Sequence, residues 1–368
     1  MASRKLVSIF LAIFVVAGSI TSSSNASATS LASTYPPETA LPSPCPSSVA
    51  FPIPSSGSVK GIKSGYWLSS LAEKFSPSLI FTSYFTHLFY AFVMPNATTY
   101  QLTPRANVFL SIGGAAATLS PLLHAPRESR EAFINSSISS ISVARKYGFD
   151  GLDLDWEFPN TQEDMSSLAL LFQEWPVYFA SSFFLSNITS TYPAEAMKKY
   201  LDFVSPNCYD YHGSWDTSVT GAHALLYDKG SNISTSYGIS TWIEVGIPPE
   251  NSVMGMPLYG RTWQLKSPGD NGIGAPAVGV GTGKGFMTYS DIVDFNAAND
   301  SNVVYDAQTV STYSYSGTNW IGYDGPESIE KKVEFARAEG LGGYFFWALG
   351  YDDQNWSLSA AASKAWES

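Results

Sequence analysis

From residue 59 onward the chain repeats short apolar runs, and several of the longer stretches between them place apolar residues three and four apart. The runs at 62–67, 87–93, 108–112, 151–156, 204–209, 253–258 and 343–347 read as strands. Residues 127–146, 193–203 and 326–338 read as helices, the last with Pro326 where a first helical turn accepts it. Strands alternating with helices imply a parallel sheet covered by helices. Seven or eight such units over about 300 residues fit a (β/α)8 barrel better than a doubly wound sheet. The rhythm breaks over 262–322, which is rich in Gly, Tyr, Ser and Thr and holds strand-like pieces such as Val303-Val304-Tyr305 and Thr312-Tyr313-Ser314-Tyr315. This predicts a small α+β domain inserted between the last two barrel strands. It would wall a groove at the C-terminal face, where barrel enzymes keep their sites.

One run differs from the rest. Gly151-Leu152-Asp153-Leu154-Asp155-Trp156-Glu157 alternates acids with large apolar residues, so as a strand it turns Asp153, Asp155 and Glu157 to one face and Leu152, Leu154 and Trp156 to the other. Acids two apart on a strand stand about 7 Å from one another along its axis. Crowded and buried, they cannot all ionise, and at least one is expected to keep a proton at neutral pH, as a general acid must. A solvated charged face would leave the neighbouring segments without their second buried side. A calcium loop would need Gly, Asn and turn geometry where this chain has Leu and Trp. Glu157 falls at the C-terminal end of the run, before Pro159 stops it.

Composition narrows the class of ligand. A formal net charge of −11 and a pI near 4.8 disfavour nucleic acid and anionic membranes as partners. The abundant Trp and Tyr suit a neutral ligand that stacks on rings, although most individual rings belong to a core. Gly113-Gly114 lacks the G-x-G-x-x-G context of a dinucleotide site, and no Cys/His zinc spacing occurs, so no cofactor or metal is expected. Residues 1–28 read as a secretory signal peptide: Arg4 and Lys5, an apolar run from Leu6 to Val16, then Ala26-Ser27-Ala28. No later segment offers about twenty consecutive apolar residues, so no membrane anchor is expected. Residues 29–58 form a Ser/Pro-rich linker and 59–368 the folded part. Sequons at Asn96, Asn135, Asn187, Asn232, Asn299 and Asn355 suit the secretory route. Cys45 and Cys208 are the only cysteines, and their pairing is left open.

Asp150-Gly151-Leu152-Asp153-Leu154-Asp155-Trp156-Glu157 resembles the D-x-x-D-x-D-x-E signature of family 18 glycoside hydrolases, and within them the chain is similar to the plant class V chitinases. Ser111-Ile112-Gly113-Gly114 resembles the family's third-strand S-x-G-G, Met256-Pro257-Leu258-Tyr259-Gly260-Arg261 its seventh-strand motif, and Trp347 its eighth-strand tryptophan. The resemblance covers most of 59–366 and implies a TIM barrel. It also implies retaining hydrolysis of chitin or N-acetylglucosamine oligosaccharides without a protein nucleophile. By it, Glu157 is the acid, and Asp155 orients the substrate's acetamido group and stabilises the oxazolinium-like charge. Asp153 tunes the shared proton from below. Tyr209 and Asp210 resemble the Y-D pair that binds the acetamido group, and Trp347 forms the apolar floor. Tyr66, Phe92, Tyr259 and Arg261 are expected to line the cleft, with a structural role equally open for Tyr66 and Phe92. The expected product is a monomer, secreted to the extracellular space or sent to the vacuole.

The chain departs from that pattern in three places. Asn207-Cys208-Tyr209-Asp210 stands where the family has M-x-Y-D. Between Val93 and Val108 there is room for a loop but not for the helix of a parallel crossover, and at 175–177 the fifth strand lacks its beginning and the loop before it; relative to family members about twenty residues are missing at each place, which leaves closure of the barrel at its fifth strand open. The rival reading is therefore a catalytically silent, lectin-like binder of chitin oligomers. Its usual mark, loss of the acid, is absent because Glu157 is present.

Overall fold

The computed structural model describes residues 61–92, 107–114, 131, 134, 151–174, 178–182 and 191–368. The expected signal peptide and linker, Cys45, Asn96, Asn135, Asn187 and the two shortened connections lie outside them. Eight parallel strands make one sheet: β1 (Ile62–Leu68), β2 (His87–Ala91), β3 (Asn107–Gly113), β4 (Gly151–Asp155), β5 (Tyr178–Ser182), β6 (Val204–Asn207), β7 (Val253–Pro257) and β14 (Gly343–Trp347). The order is β6-β5-β4-β3-β2-β1-β14-β7, and a parallel bridge between Val204 and Ser252 brings the two ends together. β5, whose beginning the sequence leaves in question, is paired along both edges, to β4 and to β6. The fold is the (β/α)8 barrel.

The apolar runs become strands because both their faces are covered. Tyr66, Phe89, Phe109, Phe203, Val253 and Phe345 fill the inside of the barrel. Leu152, Leu154 and Trp156 point outward, into the layer of helices. The described helices are α1 (Gln162–Glu174), α2 (Ala194–Tyr200), α3 (Thr235–Glu244), α4 (Tyr289–Ala298), α5 (Pro326–Ala338) and α6 (Ser357–Glu367), of which α4 belongs to the insertion. α1 starts on a reciprocal cap: Thr161 Oγ1 accepts from the Asp164 amide at 3.0 Å, and Asp164 Oδ2 accepts from the Thr161 amide at 3.0 Å. Its Met165, Leu168 and Phe172 then repeat at helical spacing into the core. Of the helix expected over 127–146 only Glu131 and Ile134 are described; both are helical, and Ile134 is buried. α3 and α6 have no counterpart in the sequence reading.

Between β7 and α5 the chain leaves the barrel to form β8 (Tyr259–Leu265), β9 (Ala277–Val280), β10 (Phe286–Thr288), β11 (Asn302–Asp306), β12 (Ser311–Ser316) and β13 (Asn319–Tyr323). These make a separate antiparallel sheet around Trp263 and Trp320, joined by α4. Both buried indoles donate their N–H, Trp263 to the Asp216 carbonyl at 2.7 Å and Trp320 to the Asn271 carbonyl at 2.9 Å. The sheet starts at Tyr259 because a single residue, Leu258, separates β7 from β8. On the return, Asp324 is fully buried against Lys332 of α5, whose Nζ donates to it and to the Ala224 carbonyl, each at 2.5 Å. Removing one partner of such a buried pair costs about 3–5 kcal/mol.

Candidate active site

β4 carries the acids. Asp153 and Asp155 are buried on the barrel-facing side, and Glu157 stands two residues beyond the end of the strand with its side chain partly exposed. β3 is their neighbour in register, Ser111 opposite Asp153 and Gly113 opposite Asp155. Ser111 Oγ donates to Asp153 Oδ2 at 2.7 Å, and the Tyr66 hydroxyl donates to the same oxygen at 3.0 Å. At Gly113, with φ of 124°, a Cβ would lie 1.9 Å from the Asp155 carbonyl oxygen; at Gly114, with φ of 87°, it would meet the Phe92 ring at 2.4 Å. The Gly114 amide donates to that carbonyl at 2.7 Å. The glycine pair is thus what lets β3 close against the acid strand.

The electrostatics separate the carboxyls into two kinds. Burial pushes Asp153 from 3.8 up to about 7, the hydrogen bonds from Ser111 and Tyr66 working against it. Asp155 is raised well above the usual range by burial and then by the charges of Glu157 and Asp153. Asp153 Oδ1 and Asp155 Oδ1 are buried without a hydrogen-bond partner among the described residues, which fits a proton held in this column. Glu157 is pushed to about 7 by burial and by the charge of Asp210. Asp210 goes the other way. Burial is the largest single influence and opposes its ionisation, but His223 and Arg261 together outweigh it and hold the group at about 2. Arg261, on β8, grips Asp210 with both prongs, Nε to Oδ1 at 2.8 Å and Nη2 to Oδ2 at 2.7 Å. His223 Nδ1 stands 3.6 Å from Asp210 Oδ1, longer than a well-formed hydrogen bond. Between about pH 2 and about pH 7 the site therefore pairs a protonated Glu157 with an ionised Asp210.

The raised acids have a thermodynamic consequence. Asp153 and Glu157 hold protons in the folded state that the unfolded chain releases from about pH 4. Their stabilising contribution is complete below that pH and is lost as pH rises toward about 7. The melting temperature is expected to fall between about pH 4.5 and about pH 7.5, and Asp153→Asn to flatten the slope. Calorimetric scans across that range check it; a melting temperature that rises with pH would contradict it.

The remaining residues sort by depth. Trp347 and Phe92 are partly exposed at the cleft end of the barrel, their ring centroids 5.6 Å apart. Tyr209 is partly exposed, edge-on to Tyr259 at 6.1 Å, and its hydroxyl donates to Asn207 Oδ1 at 3.1 Å. Tyr66, for which a cleft-lining and a structural role were both open, is 1% exposed, stacked in the barrel against Phe89 at 4.7 Å, and its hydroxyl supports Asp153. Tyr259 is only 3% exposed, its ring centroid 5.3 Å from the Arg261 guanidinium. Trp215 covers the same guanidinium at 5.3 Å and is half-exposed. Trp215, His223 and the support by Ser111 are absent from the sequence reading. The motif Ser111-Ile112-Gly113-Gly114 was the available signal for Ser111; Trp215 and His223 sit in the long connection after β6, where nothing local marks them. No group of three or more His, Cys, Asp or Glu is arranged to hold a metal ion among the described residues. Cys208 is buried and free, with its thiol pushed up to about 12 by burial. The described sequon residues Asn232, Asn299 and Asn355 are exposed.

The family profile described as "Glycosyl hydrolases family 18" matches residues 63–352. The chain is 45% identical over 351 residues to "Class V chitinase CHIT5a" of Medicago truncatula, covering 83% of this chain and 90% of that protein. Among solved structures it resembles a class V chitinase from Nicotiana tobaccum in complex with NAG4, with a TM-score of 0.76 and 34% identity over 84% of this chain and 99% of that one. It also resembles the chitinase-like agglutinin RobpsCRA from Robinia pseudoacacia, with a TM-score of 0.73 and 34% identity over 83% and 99%.

Proposed function

The chain belongs to glycosyl hydrolase family 18, and on that premise we propose that it is a secreted chitinase, cleaving β-1,4-linked N-acetylglucosamine polymers with the substrate's own acetamido group as nucleophile. The observation that carries the reading is Glu157, a carboxyl pushed to about 7 at the cleft end of β4, next to a column of two more buried acids. In the first step Glu157 gives its proton to the glycosidic oxygen while the acetamido carbonyl oxygen attacks the anomeric carbon, so the glycosidic bond breaks as a cyclic oxazolinium forms. Asp155 accepts the acetamido N–H and offsets the positive charge. In the second step the ionised Glu157 takes a proton from water, which opens the ring with net retention. Tyr209 and Asp210 bind the acetamido and neighbouring hydroxyl groups, and Trp347 stacks under the sugar. Residues 1–28 support secretion, and the cycle uses no cofactor.

The mechanism makes the acetamido group indispensable. Fully acetylated oligomers are expected to be cleaved at least about a hundredfold faster than deacetylated ones of the same length, because an amine cannot supply the attacking carbonyl. Equal rates on the two, measured by product chromatography, would sink substrate assistance. The rival, a lectin-like binder, draws on Asn207 and on the likeness to the agglutinin. It predicts oligosaccharide binding by folded wild-type protein with no hydrolysis.

A further inference from the structure

Asn207 ends β6 at a position where the family resemblance expects methionine, and it is buried at 8% exposure. Alternation along the strand puts Phe203, Ser205, Asn207 and Tyr209 on one side, and Phe203 and Tyr209 pack with the barrel interior, so Asn207 lies one step below Tyr209 on the face of the acids. The Tyr209 hydroxyl donates to Asn207 Oδ1 at 3.1 Å. A phenol has one proton to give. While Asn207 holds it, Tyr209 offers a ligand only its oxygen lone pairs. Methionine or alanine in that place has no comparable acceptor and leaves the proton free to turn upward.

We propose that Asn207 is a positioning residue that fixes the direction of the Tyr209 proton, holding it away from the cleft until a ligand carbonyl competes for it. The inference rests on Tyr209 meeting the acetamido group. Each productive encounter then exchanges one neutral hydrogen bond for another, and the net gain from Tyr209 is smaller than it would be from an uncommitted hydroxyl. Sequence position alone does not show this, because the bond depends on the tyrosine folding back over its own strand.

The test is a double-mutant cycle on an N-acetylglucosamine tetramer. Asn207→Met is expected to raise kcat/KM by about three- to tenfold, the range of one net neutral hydrogen bond. In the Tyr209→Phe protein, which has no hydroxyl proton to direct, the same change is expected to move kcat/KM by less than about twofold. A residue that merely fills space would act alike in both backgrounds. Asn207→Ala removes the acceptor without adding bulk and is expected to act in the same direction, which keeps the test alive should methionine not fit; circular dichroism verifies each variant's fold. The cycle is repeated as calorimetric affinities in Glu157→Gln protein. Coupling there without any wild-type hydrolysis would retire the chitinase reading and leave the role of Asn207 standing. Equal effects in the two Tyr209 backgrounds, in both kinetics and affinity, or a fall in kcat/KM for both Asn207 variants, overturn the inference.

Discussion

Glu157→Gln is expected to lower turnover of N-acetylglucosamine oligomers by about a hundred- to ten-thousand-fold while leaving their affinity within about threefold. Glutamine keeps the size and polarity of the side chain but has no acidic proton to deliver, so the loss falls on the chemical step. The wild-type pH dependence gives the same residue a second signature. Because the folded-state pKa of Glu157 is raised to about 7, the protonated form predominates below that value and is depleted above it. Wild-type kcat/KM is therefore expected to decline as pH rises through about 7, and the residual activity of Glu157→Gln to lose that limb. Steady-state rates between about pH 4 and about pH 9, with affinities from calorimetry, decide the matter. Undiminished turnover in the variant would end the assignment of Glu157 as the acid.

Asp155→Asn is expected to reduce turnover by about a hundredfold or more, again with little change in affinity. The charge on Asp155 is costly in the free protein: the side chain is 2% exposed, and burial, Glu157 and Asp153 all disfavour its ionised form. A cationic oxazolinium beside it reverses that balance, so its stabilisation is larger for the intermediate and the transition state than for bound substrate. Asparagine matches the shape but brings no charge. Comparing kcat and tetramer affinity in the same preparation checks this; a parallel loss in both would mean that Asp155 acts on ground-state binding instead.

The barrel was legible because parallel strands covered on both faces leave continuous apolar runs, and β14 and α5 fall on the residues their sequence patterns delimit. α3 was not. Its Gly238, Ser240 and Thr241 are weak helix formers, and what holds it is burial of Ile239 and Trp242 in the core, a tertiary effect that local preference does not carry. The acid face followed from period two alone. Depth did not: the alternation that places Tyr66 on the barrel-facing side says nothing about its layer, and only the fold shows its hydroxyl committed to Asp153. His223 reaches Asp210 from farther along the chain, within a connection that has no periodicity to read.

The antiparallel sheet that flanks the site is joined to the barrel with no slack. Leu258 makes the outward crossing alone, fully buried, its amide donating to the Trp347 carbonyl at 2.8 Å. Asp324 and Gly325 make the return, with Asp324 locked to Lys332. Arg261 ties the first strand of that sheet to Asp210 on the barrel side. Crossings this short, with an ion pair across them, leave the two banks of the cleft little freedom to hinge, so the entropy surrendered when a sugar chain binds is mainly its own. On the proposed chitin substrate, an oligomer already straight in solution loses less of that entropy than a flexible one.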